Sequence, residues 1–272
     1  MNIKALIQRH PVASYFVLAY VISWGGSFAT AGPKFLRGET LQFTDALLMF
    51  FPMLAGPSIA GITMTALVDG KSGLRDLVSR MRTWQVSVGW YAMAILIPPV
   101  LILTVLLTLT ALVSPEFFPG FLLPMIMIGL LAGFFEEIGW MGYAFPKMER
   151  KHSAFATSIY LGLLWTVWHV VADYLGSSGA LGVYWLPHFL VWMVVAMTAM
   201  RVLIVWVYTN TRSVLLAQLM HASSTGFLGI LVPSLSLGNE FLFYGVYAAI
   251  LWLVVVIVVA RYKGLVRQPT SS

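Results

Sequence analysis

Long apolar stretches, separated by short polar segments, occupy almost the whole chain. Each stretch is about 20–26 residues long, enough for a helix to cross roughly 30 Å of hydrocarbon with some tilt. The segments between them are too short to form a soluble domain. The pattern therefore predicts an all-α fold, a polytopic membrane helix bundle of about eight transmembrane helices. The predicted spans are residues 12–32, 43–68, 89–113, 121–145, 154–175, 184–208, 213–232 and 240–260.

The composition agrees with a membrane protein. Hydrophobic residues make up 60% of the chain, charged residues 10%, and the mean hydropathy is +0.87. A soluble domain carries about 45–50% apolar and about 25% charged residues. The chain has no cysteine, which excludes disulfides and thiolate ligands. We therefore expect a single integral membrane domain, residues 1–272, in contact with membrane lipids of the cell membrane.

The basic residues between the predicted spans fall mostly on one side of the bundle. Thirteen lie on that side, and only Lys34 and Arg37 lie on the other. The positive-inside rule therefore predicts that both termini are cytoplasmic. The net charge of +6 follows from this topology and from contact with anionic lipids, so no nucleic-acid partner is expected. The thirteen are Lys4, Arg9, Lys71, Arg75, Arg80, Arg82, Lys147, Arg150, Lys151, Arg212, Arg261, Lys263 and Arg267.

Two shorter segments fit the same topology. Residues 73–84, GLRDLVSRMRTW, carry apolar side chains at helical spacing and predict a helix lying along the cytoplasmic surface. Residues 29–31, Ala-Thr-Ala, look like a signal-peptide cleavage site. The apolar run before them is about 20 residues, against the usual 7–15 of a cleaved peptide. We therefore expect the first span to remain uncleaved.

Ionisable residues inside apolar stretches mark a candidate functional site. Glu136 and Glu137 stand within the run FLLPMIMIGLLAGFFEEIGWMGYAF, residues 121–145, with no lysine or arginine nearby in sequence. A carboxylate at such depth costs about 2.5–3.5 kcal/mol on insertion scales. Counting 1.5 Å per residue from the cytoplasmic ends places Glu136, Arg201 and His221 at a common depth of roughly 13–15 Å. His169, which needs helix tilt to reach that depth, and Asp173 also lie well inside apolar surroundings.

A carboxylate and two imidazoles in a water-accessible pocket favour hydrolysis. Glu136 would take a proton from water, His169 would hold that water, and His221 would donate a hydrogen bond to the oxyanion. The same three residues, Glu136, His169 and His221, would also suit a catalytic zinc site with one open position. Sequence spacing does not decide between these alternatives because the residues lie on three different helices. No cofactor is therefore certain, and zinc stays an open alternative.

Three motifs, in chain order, resemble those of the CPBP intramembrane proteases, a family that includes the type II CAAX prenyl endopeptidases and bacterial bacteriocin-immunity relatives. They lie in the segment 121–232, which we take as the motif-bearing core. The resemblance implies a CAAX-protease-like membrane endopeptidase of eight helices that depends on a glutamate. It implies catalytic roles for Glu136, Glu137, His169, His221 and Thr225, supported by Trp140 and Trp165. The motifs are Glu136-Glu137-Ile138-Gly139-Trp140, Trp165-Thr166-Val167-Trp168-His169 and His221-Ala222-Ser223-Ser224-Thr225.

The chain departs from the family pattern at two positions. Met141 stands where the family has arginine, and Thr225 stands where it has asparagine or aspartate. Met141 cannot pair with Glu137, one helical turn before it. We hypothesise that Arg201 supplies the missing partner, because intramembrane charges usually pair. The alternative is that Glu137 is protonated and neutral.

These observations predict an endopeptidase that hydrolyses a peptide bond within or next to the bilayer of a peptide or membrane-protein substrate. Met141 and Thr225 favour one alternative, a catalytically inactive immunity or scaffold relative. A proton-coupled transporter using Glu136 and His221 is a further alternative, although the sequence has no detectable inverted repeat. Asp173 is expected either to orient His169 or to lie at the outer rim in water. The sequence makes no prediction about the oligomeric state.

Overall fold

Helices account for most of the described chain. The computed structural model describes residues 3–266, in which there are helices, turns and loops but no β-strand. Arg267, one of the thirteen basic residues above, lies outside the described residues. The helices are α1 (Ile3–Arg9), α2 (Pro11–Leu36), α3 (Phe43–Val68), α4 (Gly70–Met81), α5 (Val88–Leu112), α6 (Met125–Gly139), α7 (Phe145–Met148), α8 (Ala154–Leu181), α9 (Trp185–Phe189), α10 (Thr198–Thr211), α11 (Val214–Leu231) and α12 (Leu237–Arg261). Two π-helical segments, Trp140–Ala144 and Leu190–Met197, continue α6 and α9 into α7 and α10.

Seven stretches of the described chain are long and apolar enough to cross a membrane. One of them, Ala154–Thr211, has 58 residues, which would be about 87 Å of straight helix at 1.5 Å per residue. This stretch folds back on itself, since Gly182, with a φ of 54°, ends α8, and α8 packs against α10. It therefore provides two of the eight predicted spans. The prediction of an all-α membrane helix bundle is confirmed.

The span that carries the two glutamates begins later than the apolar pattern predicts. Residues 121–124 form part of a loop that runs along the end of α11, where the Leu122 N–H donates to the carbonyl of Ile230 at 3.0 Å. The helix starts only at Met125. It continues past residue 145 to Met148 because the π-helical segment joins α6 to α7.

The predicted surface helix is present as α4. Leu77 is its one buried residue, while the charged Arg75 and Asp76 are exposed. Such a helix fits the boundary between apolar and aqueous phases.

The outer faces of the bundle expose large apolar side chains. Val17 and Val21 on α2, and Leu253 and Val256 on α12, are all more than half exposed. Repeated exposure of this kind along spanning helices fits contact with lipid tails, and the chain is a multi-pass membrane protein.

The two ends of the bundle differ in charge, and we name them accordingly. The basic pole holds α1, α4, residues 149–153 and residues 262–266, and the acidic pole holds the loops 37–42, 113–124 and 232–236. The acidic pole has five carboxylates and two basic residues: Glu39, Asp45, Glu116, Asp173, Glu240, Lys34 and Arg37. At the basic pole lie Asp69, Asp76 and Glu149 with the twelve described members of the basic set given above.

Candidate functional site

The two glutamates lie on α6 where this helix packs closely against α11. A Cβ at Gly129 or Gly133 would collide with the α11 backbone, so glycine is required for this approach. Gln218 of α11 spans the same interface, and its Nε2 donates to an α6 carbonyl at 2.9 Å. This packing places His221 of α11 beside Glu137.

Glu137 is held by a permanent cation and an imidazole. Arg201 Nη1 donates to Oε1 at 2.7 Å and to Oε2 at 2.9 Å, and both side chains are fully buried. Nδ1 of His221 lies 2.7 Å from Oε1. The Arg201 guanidinium also lies over the ring of Trp165, 4.3 Å from its centroid. The hypothesis that Arg201 supplies the partner of Glu137 is therefore confirmed by the geometry.

Glu136, one residue earlier, contacts only groups without a permanent charge. Its Oε2 accepts hydrogen bonds from Trp165 Nε1 at 2.9 Å and from Trp140 Nε1 at 3.2 Å. Nε2 of His221 lies 4.0 Å from the same oxygen. With Nδ1 of His221 donating to Glu137, the neutral ring has its lone pair on Nε2, the nitrogen nearer Glu136.

His169, like His221, has its Nδ1 bound to a neighbouring oxygen and its Nε2 free to accept a hydrogen bond. A carbonyl can only accept, so Nδ1 of His169 donates to the carbonyl of Trp165 at 3.0 Å. The neutral ring therefore has its lone pair on Nε2. Edge-on contacts with Trp165 and Trp168, at centroid distances of 5.1 and 4.5 Å, fix the ring plane.

A cavity of about 600 Å³ joins these side chains. Glu136, His169, His221 and Thr225 all line it, and Thr225 lies one helical turn beyond His221. Ligand cavities typically have about 300–1,000 Å³ and few polar groups among apolar walls. The larger side chains of the walls are methionine and aromatic residues: Met49, Phe50, Met53, Met125, Trp165, Trp168, Trp192, Met193, Met197 and Tyr244.

The structure gives Asp173 other partners than His169. Its Oδ1 accepts from Trp185 Nε1 at 2.7 Å and from Ser177 Oγ at 3.1 Å. Asp173 therefore lies at the acidic pole, half-buried rather than in open water.

The zinc alternative gains no support from the side-chain arrangement. Within residues 3–266, no three histidine, aspartate or glutamate side chains are grouped as a metal would require. Glu136, His169 and His221 share the cavity without forming such a group.

Two features of the site escaped sequence reasoning. The first is the contact between Glu137 and His221, which lie on separate helices and 84 positions apart. The second is that the indole N–H groups of Trp140 and Trp165 bind Glu136, although both residues were expected to support the site. The spacing of four between Glu136 and Trp140 is a signal that could have revealed one of these bonds.

Arg80 was predicted only as one of the cytoplasmic basic residues, and its contact with the site is a third feature that the sequence did not reveal. From α4 it donates to the carbonyls of Met141 at 3.3 Å and Gly142 at 2.8 Å, in the π-helical segment after the glutamates. It also donates to the hydroxyl of Tyr208 on α10 at 3.0 Å. Because π-helical geometry disturbs the regular backbone bonds, the guanidinium supplies donors where the helix is irregular.

Comparisons with known proteins identify relatives of this site. The family model described as type II CAAX prenyl endopeptidase Rce1-like matches residues 118–227, a segment that contains Glu136, Glu137, Trp140, Trp165, His169, Arg201, His221 and Thr225. CAAX prenyl protease 2 of Methanococcus maripaludis is 25% identical, over 76% of this chain and 79% of that protein. The predicted family resemblance is therefore confirmed. Both matches support a membrane protease, which is a hydrolase.

Proposed function

We propose that this protein is an intramembrane endopeptidase in which Glu136 activates the water that attacks a peptide carbonyl. The observation that carries this proposal is the position of Glu136 in the wall of a mostly apolar cavity, held by two neutral indole donors. A carboxylate without a cationic partner in contact remains available to accept a proton. The family matches support the same reaction class.

The proposed reaction uses the side chains in a fixed order. Water bound between Glu136 and Nε2 of His169 loses a proton to Glu136 as its oxygen bonds to the carbonyl carbon. His221 takes part as the imidazolium: it has gained one solvent proton at Nε2, keeps Nδ1–H on Glu137, and donates a hydrogen bond from Nε2 to the resulting oxyanion. The carbon–nitrogen bond then breaks as Glu136 returns the proton to the leaving nitrogen. General-base catalysis contributes about 10²–10⁴-fold in such reactions.

Glu137 and Arg201 act on this reaction through His221. Their buried ion pair fixes Oε1 of Glu137, and that oxygen fixes Nδ1 of His221. The ring consequently presents Nε2 to the space beside Glu136. We assign Glu137 and Arg201 positioning roles, in keeping with the way a second carboxylate orients a catalytic imidazole.

The alternative of an inactive immunity or scaffold relative loses part of its support. Met141 favoured that alternative because it leaves Glu137 without the family's arginine. Arg201 provides an equivalent charge from α10. Thr225 remains a departure from the family, and its hydroxyl-bearing side chain still lines the cavity one turn beyond His221.

The proposal is tested by peptide cleavage with purified protein in lipid vesicles. The substrates are a fluorogenic peptide library and a prenylated peptide of the CAAX type. Wild type is compared with Glu136→Gln, and with Glu149→Gln as a matched control outside the cavity. Each protein is assayed with and without a chelator, which decides the zinc alternative independently.

Cleavage by wild type and Glu149→Gln, but not by correctly folded Glu136→Gln, is the expected result. Cleavage retained by Glu136→Gln would contradict the proposed base. If the wild type cleaves no peptide, and Glu136→Gln still restores the phenotype of cells that lack this protein, the protein acts as a scaffold. Proton movement in proteoliposomes without cleavage would instead support a transporter.

A further inference from the structure

The cavity extends from the site toward one end of the bundle only. On α6 its lining residues are Met125, Ala132 and Glu136, and none lies beyond Glu136 toward the basic pole. On α11 they begin at His221 and continue to the loop of the acidic pole. The site therefore forms the floor of the cavity.

The lining residues of the other helices also lie toward the acidic pole. The α8 lining begins at Trp165 and ends at Gly176, near the acidic end of that helix. α3 contributes lining residues only from its first half, Ala46 to Met53, and α12 only Glu240 and Tyr244 near its start. Both helices begin at the acidic pole. The cavity mouth is thus among the loops of the acidic pole.

Below the floor the bundle is closed by packed side chains. Trp140, Met141 and Tyr143 are almost wholly buried, and Tyr15 of α2 packs against the rings of Trp140 and Tyr143. Arg80 closes the layer from α4 through its bonds to the backbone of the π-helical segment. A separate cavity of about 370 Å³ at the basic pole reaches Gly142 and Tyr143 from the other side, and it shares no lining residue with the cavity of the site.

The charge of the two poles assigns them to sides of the membrane. Twelve described lysines and arginines lie at the basic pole, and two lie at the acidic pole. Basic residues in short loops are retained on the cytoplasmic side. A basic pole in the cytoplasm places the acidic pole, and with it the cavity mouth, on the opposite face.

From this geometry we infer that the site is entered from the non-cytoplasmic side of the membrane. Its substrate is a peptide segment with apolar side chains, presented on that side by a membrane or exported protein. The methionine and tryptophan walls suit varied apolar side chains. A peptide confined to the cytoplasm would not reach the mouth. The direction of entry does not depend on the proposed function, whereas the substrate class rests on it.

The direction of entry is tested with single cysteines, because the native chain contains none and gives no background. Gly176→Cys lies at the mouth, Ala172→Cys lies deeper near His169, and Ser72→Cys lies at the basic pole. Gly176 has room for a Cβ, whose closest neighbour would be the end of Met49 at 3.9 Å. Each variant is treated with a membrane-impermeant methanethiosulfonate in spheroplasts of a bacterial host, before and after permeabilisation.

We expect Gly176→Cys and Ala172→Cys to react fully before permeabilisation and Ser72→Cys only afterwards. The reverse pattern would overturn the inference. Reaction of Gly176→Cys without Ala172→Cys, in protein that elutes as a single species, would show that the mouth does not lead to the site. Labelling is independent of cleavage, so a protein that labels as expected but cuts no peptide fails only the proposed function.

Discussion

Glu136 and Glu137 are adjacent in sequence but have opposite surroundings. Glu137 is fully buried and accepts three hydrogen bonds from Arg201 and His221. Glu136 accepts its hydrogen bonds from indole N–H groups and borders an open cavity. The difference shows how one helix can carry an ion-paired carboxylate and a cavity-lining carboxylate side by side.

The helix geometry explains the separation. Successive residues of an α-helix point about 100° apart, because one turn contains 3.6 residues. Glu137 therefore points to α10 and α11, which supply Arg201 and His221, while Glu136 points to α8 and the cavity. Trp165 touches both environments, with its N–H on Glu136 and its ring face on Arg201.

The largest expected effect comes from Glu136→Gln. The amide keeps the size of the side chain and an oxygen that can accept from the indoles, so folding should change little. Loss of the base should lower kcat/KM by about 10²–10⁴-fold. Kinetics of cleavage and thermal unfolding of the same preparation would measure both quantities. A large loss of stability would place Glu136 among the structural residues and remove the distinction from Glu137.

Arg201→Met should affect folding more than any other substitution in the site. Removing one member of a buried ion pair costs about 3–5 kcal/mol, because the remaining charge is left without compensation. The double variant Arg201→Met/Glu137→Gln removes both charges and should recover much of that stability. Unfolding in detergent or lipid by a common denaturant would compare the three proteins.

The recovery of stability in this double variant should be specific to Glu137, because Glu136 and Glu137 have different partners. Arg201→Met combined with Glu136→Gln should show no such recovery, since Glu136 does not contact Arg201. Equal recovery by the two double variants would mean that the charges share one environment, contrary to the structure.

Trp165→Phe separates the two functions of one side chain. Phenylalanine keeps an aromatic face for Arg201 but has no N–H for Glu136. A hydrogen bond to a charged group contributes about 1.5–3 kcal/mol, so kcat/KM should fall about 10-fold or more while stability changes less. Trp165→Leu should lose both the hydrogen bond and the cation–π contact, and should therefore be less stable than Trp165→Phe. Similar stability of the two variants would argue against a contribution from the ring over Arg201.

The sequence predicted the fold well because membrane spans are long and uniformly apolar. Residues 43–68 were predicted as a span and form α3 with the same bounds. The fourth span was less accurate, since a hydrophobic loop such as 121–124 has the composition of a helix. Only the backbone bonds of that loop to the end of α11 distinguish the two.

The ion pair of the site was predictable, and its other contacts were not. Arg201 and Glu137 are both charges that the membrane would expel unless paired, which limits the choice of partners. Hydrogen bonds from Trp165 or Arg80 have no such constraint, because both residue types are common near membrane surfaces for other reasons. Their roles depend on helix rotation and packing that residue spacing alone does not determine.

Thr225→Val has the smallest expected effect and tests how far the reactive environment extends along α11. The change replaces the hydroxyl with a methyl group of similar size in the cavity wall, one turn from His221. A net hydrogen bond of about 1 kcal/mol corresponds to a loss of about 5-fold in kcat/KM. Stability should hardly change, because the side chain borders the cavity rather than the ion pair. Unchanged kinetics would limit the residues of the proposed reaction to Glu136, His169 and His221. A loss as large as that of Glu136→Gln would add Thr225 to them.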